Sequence, residues 1–147
     1  MIVRPSVVIV KDNRVLLMKY NYNGQEVYGL PGGNPDDADT LQSTVVRELK
    51  EELNLDIQVG NLMLVGEVIF PERKKSTLHC VFWGEITGGA PGLNPEHTSA
   101  QEYVWMDINK IESVNMYPNI GKNIRDLVIQ GRPSGTVYTG QIKQQWF

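Results

Sequence analysis

The stretch Leu30-Pro31-Gly32-Gly33-Asn34-Pro35-Asp36-Asp37-Ala38-Asp39-Thr40-Leu41-Gln42-Ser43-Thr44-Val45-Val46-Arg47-Glu48-Leu49-Lys50-Glu51-Glu52-Leu53-Asn54-Leu55 decides how this chain is read. Its first part, Pro31 to Pro35, is too rich in Pro and Gly for regular structure and predicts a loop. From Thr40 to Leu53 there is no Gly or Pro, and Leu41, Val45, Val46, Leu49 and Leu53 recur at helical spacing. That spacing predicts an amphipathic helix with those five residues toward a core. Asp39 is the expected N-cap, Gln42 its capping-box partner, and Asn54 the residue that leaves the helix through the left-handed region.

The acids of this helix conflict with local helix physics. At about 100° per residue, with Leu41 as zero, Glu52 falls near 20°, inside the apolar arc, with Glu48 near 340° and Glu51 near 280° beside it. Like charges one turn apart repel, and a carboxylate pressed against a core is costly unless paired or protonated. Acids near a helix C-terminus also oppose its dipole. A hard divalent cation, Mg²⁺ or Mn²⁺, resolves all of this, because oxygen is the donor such ions take. Gly32-Gly33 lets backbone approach a ligand closely, and the following helix N-terminus favours phosphate. Metal beside phosphate points to phosphoryl chemistry.

Gly33, Asp39 and the run Arg47-Glu48-Leu49-Lys50-Glu51-Glu52-Leu53-Asn54-Leu55 resemble the Nudix box, G-x5-E-x7-R-E-U-x-E-E-x-G-U, with U aliphatic. Seven of the nine specified positions agree over 23 residues; Asp39 stands where the family has Glu, and Asn54 where it has Gly. Leu30-Pro31-Gly32-Gly33 is similar to the loop that precedes the box. The resemblance implies an α/β fold, an α/β/α sandwich with a mixed β-sheet. It also implies hydrolysis of a nucleoside diphosphate linked to another moiety, by attack of water on phosphorus. The substrate classes it leaves open are ADP-ribose or another nucleotide sugar, and a nucleoside triphosphate. By the same resemblance Glu48, Glu51 and Glu52 are metal ligands, joined by the Gly32 carbonyl. Arg47 orients them, and Glu48 or a later loop Glu takes the proton of the water. Glu96, beside His97, is the favoured loop residue, with Glu102 the alternative; both precede Trp105. Gly33, Asp39, Arg4 and Tyr28 are expected on the substrate side. The implied partner is a nucleotide-derived small molecule, with a homodimer of the kind common in the family left open. A second reading is a non-catalytic nucleotide-sensing module that lost turnover through Asp39. A third is an interaction protein using the tail from Gln144 to Phe147 and an edge strand.

The rest of the chain agrees with a globular αβ protein. Its 147 residues, 41% apolar and 21% charged, suit one domain that buries about 68–70% of its unfolded surface. Seventeen acids against 14 bases leave a net charge of −3, so a nucleic-acid duplex is not the expected partner. Six of the acids fall between Asp36 and Glu52. The single cysteine, Cys80, excludes an intrachain disulfide and suits a reducing cytoplasm. No apolar run is long enough to span a membrane, and the opening MIVRPSVVIV reads as a strand.

Val7 to Val10 and Arg14 to Tyr20 predict a hairpin turned at Asp12-Asn13. Further strands are expected at Glu26–Leu30, Ile57–Val59, Leu62–Phe70, Thr77–Ile86 and Tyr103–Asp107, and in the tail from Thr136. A second helix is expected from Pro118 to Gln130. Arg73-Lys74-Lys75 reads as an exposed hairpin tip or a phosphate-steering patch. His79 and His97 lack zinc spacing. Tyr20, Tyr22, Tyr28, Phe70 and Tyr117 are either core or a nucleobase sandwich. Arg4 either reaches a substrate phosphate or caps a sheet edge.

Overall fold

In the computed structural model, which describes residues 1–70, 72 and 75–147, the chain begins with strand β1 (Ile2–Lys11). β1 turns through Asp12 and Asn13, at φ 52° and 58°, into β2 (Arg14–Tyr22). The register Val10↔Val15 and Lys11↔Arg14 makes this a two-residue hairpin, as the Asp-Asn pair predicts. β3 (Gln25–Gly29) follows, then helix α1 (Leu41–Leu53), β4 (Leu55–Val68), β5 (Thr77–Gly89), β6 (Glu102–Asp107), α2 (Gly121–Ile129) and β7 (Val137–Gln141).

The seven strands form one mixed sheet. β1 pairs in parallel with β5, β5 antiparallel with β4, and β4 in parallel with β7. β2 carries β3 along Met18–Tyr22 and β6 along Arg14–Lys19. Met18 and Lys19 pair with both, so β3 and β6 lie on opposite edges of β2. Val15 pairs with both β1 and β6, so β1 and β3 share the other edge. Into the fork where β1 leaves β2 runs the Pro31–Gly33 loop, bridging Ser6 to Gly32.

Alternate residues of the central strands feed two cores, since successive side chains of a strand point to opposite faces. Val7, Ile9, Leu16 and Met18 pack with Val45, Leu49 and Leu53 of α1. Val8, Val15 and Leu17 pack with Ile120, Ile124 and Leu127 at α2. One helix therefore covers each face, and the α/β/α arrangement implied by the resemblance is present. Among the described residues no helix is long and apolar enough to cross a membrane.

Several sequence expectations are corrected. The N-cap of α1 is Thr40, not Asp39: its side chain accepts from the Ser43 N–H at 3.0 Å, and the Ser43 hydroxyl accepts from the Thr40 N–H at 2.9 Å. Ser43, not Gln42, therefore completes the capping box, and Asp39 is drawn off by Arg47. Val46 is 42% exposed rather than buried, at the edge of the predicted arc. The runs 57–59 and 62–68 join in one strand, β4, which stops before Ile69 and Phe70, with register shifts around Val59–Leu64 that absorb the break. The second helix starts at Gly121 rather than Pro118: the chain turns between Pro118 and Ile120, where the Ile120 N–H donates to the Pro118 carbonyl at 2.9 Å, after Asn115–Tyr117 have run along β3. There Tyr28 donates to the Asn115 carbonyl at 2.8 Å, and Tyr117 donates to that of Tyr28 at 2.9 Å. The tail strand is confined to Val137–Gln141. Of the basic run, Arg73 and Lys74 lie outside the described residues.

Candidate active site

α1 delivers its acids to the place where the Gly32-Gly33 loop meets the sheet. Val45, Leu49 and Leu53 anchor the helix on the core, and the phase that buries them buries Glu52 as well, at 8% exposure. Glu48, one turn earlier, lies against the loop. A methyl group at Gly33 would overlap the Glu48 carboxyl, and one at Gly32 would overlap the Pro5 carbonyl. Backbone approach thus requires glycine at position 32, and at position 33 any Cβ would displace the Glu48 side chain. The Gly33 N–H donates to the Pro5 carbonyl at 3.3 Å, and the Val7 N–H to that of Pro31 at 3.1 Å, which ties the loop to β1.

Arg47 gathers the acids of loop and helix. Its guanidinium lies 2.9 Å from Asp39, 3.1 Å from Glu48, and 3.5 Å from both Glu51 and Asp36. It also donates to the Asn34 carbonyl at 3.4 Å. Asp39 accepts from the Asp36 N–H at 3.0 Å, and that bond, with Arg47, holds its carboxyl below the usual range. The shorter arm of Asp39 therefore reaches Arg47 without loss of contact.

Glu52 behaves differently. Burial, and then the neighbouring Glu48 carboxyl, push it up to about 8, only partly opposed by the charge of Arg4. Two acids this close in a dry setting do not both ionise readily, and the donor set is hard oxygen. That chemistry fits a divalent cation. Among the described residues no three carboxylate, imidazole or thiolate groups already converge to enclose an ion. Glu51 is turned instead toward Arg47 and toward His97, whose Nδ1 is 4.0 Å away.

Glu52 opens on a cavity of about 660 Å³ floored by β1 and β5, to which Arg4, Tyr28 and Asn34 contribute. Arg4 lines this cavity and donates to Asn34 Oδ1 at 3.4 Å. Of the two loop acids, Glu96 is exposed and outside the lining, while Glu102 is held by Lys19 at 2.8 Å. His97, Thr98 and Ser99 line the cavity. The loop is drawn there because Gly92 and Asn94 donate to the final helix carbonyls of Leu53 and Glu52, each at 3.0 Å. Those bonds satisfy groups a helix end leaves open. Nothing in the linear order announces that closure, and sequence reasoning also passed over Ser6, Thr77 and His79 as cavity residues.

Comparison with known proteins agrees with this geometry. The NUDIX domain family matches residues 2–127. A Methanocaldococcus jannaschii protein named ADP-ribose pyrophosphatase is 32% identical over 107 residues, 71% of this chain and 60% of that one. A Vibrio atlanticus protein named NAD-capped RNA hydrolase NudC is 25% identical over 80% of this chain and 42% of its own. The chain thus spans about half the length of these two relatives. The crystal structure of a NUDIX hydrolase from Nitrosomonas europaea shares the fold, with a TM-score of 0.73 at 18% identity over 98% of this chain and 79% of that one. With Arg47 gathering the acids of the box beside a cavity that Glu52 enters, and the domain matched over residues 2–127, this chain belongs to the Nudix family.

Proposed function

We propose that the protein is a divalent-metal-dependent pyrophosphohydrolase that cleaves the diphosphate of a nucleoside diphosphate linked to another moiety, with ADP-ribose and other nucleotide sugars the first substrates to test. The observation that carries this reading is the Glu48–Glu52 pair: Glu52 is buried and lines a cavity of about 660 Å³, and Glu48 beside it is braced by Gly33 and Arg47. The relatives named as pyrophosphatase and hydrolase support the reaction class.

Glu48 and Glu52, with Glu51, are the residues that would hold Mg²⁺ or Mn²⁺, with the Gly32 carbonyl the further ligand the resemblance implies. When bound, the cation supplies an activated water and neutralises charge developing on the phosphates. Glu52 must give up its proton for that to happen, so metal uptake is linked to proton release. Arg47 keeps Glu48 in place and holds Glu51 close to the pair. Glu48, held by Arg47 beside Glu52, is the group assigned here to accept the proton of the attacking water, with the loop residue Glu96 the alternative.

Mg²⁺-dependent release of a nucleoside monophosphate from a panel of ADP-ribose, nucleotide sugars and nucleoside triphosphates tests the reading. Full activity in Glu52→Gln overturns the assigned site. Tight binding of ADP-ribose without turnover, restored by Asp39→Glu, establishes the sensing module instead.

A further inference from the structure

β1 and β5 lie in parallel register, Ile2↔Thr77, Arg4↔His79 and Ser6↔Val81. Ile2, Arg4 and Ser6 fall on the same face of β1 as Val8, and Thr77 and His79 on the same face of β5 as Val81. Val8 and Val81 belong to the core beneath α2. Where that apolar row continues outward, the chain places hydroxyls, an imidazole and a guanidinium.

Two of these polar side chains are buried. Ser6 is 4% exposed and His79 1% exposed, and neither Ser6 Oγ nor His79 Nε2 has a hydrogen-bond partner among the described residues. A buried polar atom without a partner is costly and uncommon. Both residues line the same cavity as Glu52. Burial, reinforced by the charge of Arg4, pushes the His79 imidazole down to about 4, so near neutral pH it offers one donor and one acceptor and no charge.

The cavity has an order along β1. Ser6 bridges to Gly32 and so adjoins the carboxylates. Arg4 and His79 lie about 7 Å further along, and Ile2 and Thr77 a similar step beyond. Above His79 the Tyr117 ring stands edge-on, its centroid 5.4 Å away, with Phe70 6.3 Å from Tyr117. Diphosphate chemistry at one end thus gives way to a floor under aromatic rings where neutral hydrogen-bonding groups stand beside the Arg4 guanidinium.

We infer that Ser6 and His79 are specificity-determining residues that hydrogen-bond the uncharged nucleoside part of the substrate, with its base against Tyr117. This rests on the hydrolase reading for the identity of the substrate, and it predicts an unusual pairing of effects. Removing an orphaned buried group costs the unliganded protein nothing, whereas removing a ligand contact weakens binding.

The test uses full-length Ser6→Ala, His79→Leu and His79→Gln, with metal-free thermal melts at pH 7.5, steady-state kinetics, and calorimetric binding of nucleoside monophosphates and of ribose 5-phosphate. Ser6→Ala should melt no lower than wild type, and both Ser6→Ala and His79→Leu should raise KM about 5–10-fold and leave kcat within about twofold. His79→Gln should recover part of the loss. Binding of the best nucleoside monophosphate should fall in step with KM, and binding of ribose 5-phosphate should not change. An unchanged KM beside active wild-type enzyme overturns the subsite and leaves the hydrolase reading intact. Wild-type binding of ribose 5-phosphate as tight as that of every monophosphate also overturns it, as does a lowered melting point with unaltered affinity. Monophosphate binding that depends on Ser6 and His79 in a protein that hydrolyses nothing upholds the subsite and overturns the hydrolase reading.

Discussion

Gly33 and Glu48 are in such close contact that no Cβ fits between the loop and the carboxyl. A residue of the loop thereby sets the position of an acid fifteen positions later in the chain. Gly33→Ala should therefore move Glu48 and lower kcat by about 100-fold, the scale on which displacements of about 1 Å act in active sites. The measurement is turnover at saturating Mg²⁺, with circular dichroism to verify that the helix persists. Undiminished kcat would show that Glu48 is not positioned by this contact.

Arg47 reaches Asp39, Glu48 and Glu51 together only because a guanidinium is a planar fork with several donors. Lysine keeps the charge and loses the fork. Arg47→Lys is expected to lower Mn²⁺ affinity and activity by about 10–100-fold, as for other residues that orient metal ligands. Mn²⁺ titration followed by paramagnetic resonance measures this directly.

The proton on Glu52 gives the metal-free protein a distinctive pH dependence. Folded, the carboxyl titrates near 8, whereas its ordinary value is 4.5. The native state thus keeps a proton that the unfolded chain has released. The contribution of this residue is fully present below about pH 4.5 and is lost as pH rises toward 8. In urea unfolding without metal, Glu52→Gln should be more stable than wild type at pH 8 and similar at pH 4.5. Saturating Mg²⁺ should reverse the order at pH 8 by stabilising wild type alone.

His79 acts in the opposite direction. Its folded value near 4 lies below the ordinary 6.5, so the unfolded chain takes up a proton first. Its stability contribution is present above about pH 6.5 and declines as pH falls toward 4. His79→Gln should flatten the loss of stability across that acid window, as read by melting temperature.

Reassignment of the α1 cap is tested separately. Thr40→Ala should destabilise the protein by about 1 kcal/mol, with Gln42→Ala close to neutral. A loss on Gln42→Ala beside a neutral Thr40→Ala would instead favour the Asp39–Gln42 pair expected from sequence.

The box was legible because it breaks local rules. Glu52 sits in the apolar arc of its own helix, and the structure buries it there. The hairpin at Asp12-Asn13 and the left-handed exit at Asn54, with φ 56°, were also local facts, written in residues that tolerate positive φ. What failed was whatever depended on a distant partner. Asp39 is a good cap by type, but Arg47 claims it; Pro118 is a good helix start by type, but β3 holds the residues before it extended.

By itself the sequence determined the helix, its phase, the fork-loop glycines and the clustering of Glu48, Glu51 and Glu52, because a 3.6-residue repeat and backbone sterics act over a few neighbours. Tertiary structure alone decided that His97 rather than Glu96 lines the cavity and that Glu102 belongs to Lys19. It also set Ser6, Arg4 and His79 as one floor. Those placements follow from the parallel register of β1 and β5, more than seventy residues apart in the chain, and from helix-end carbonyls that capture a later loop. Such pairings are settled by closing the sheet around two cores, which no short window of residues records.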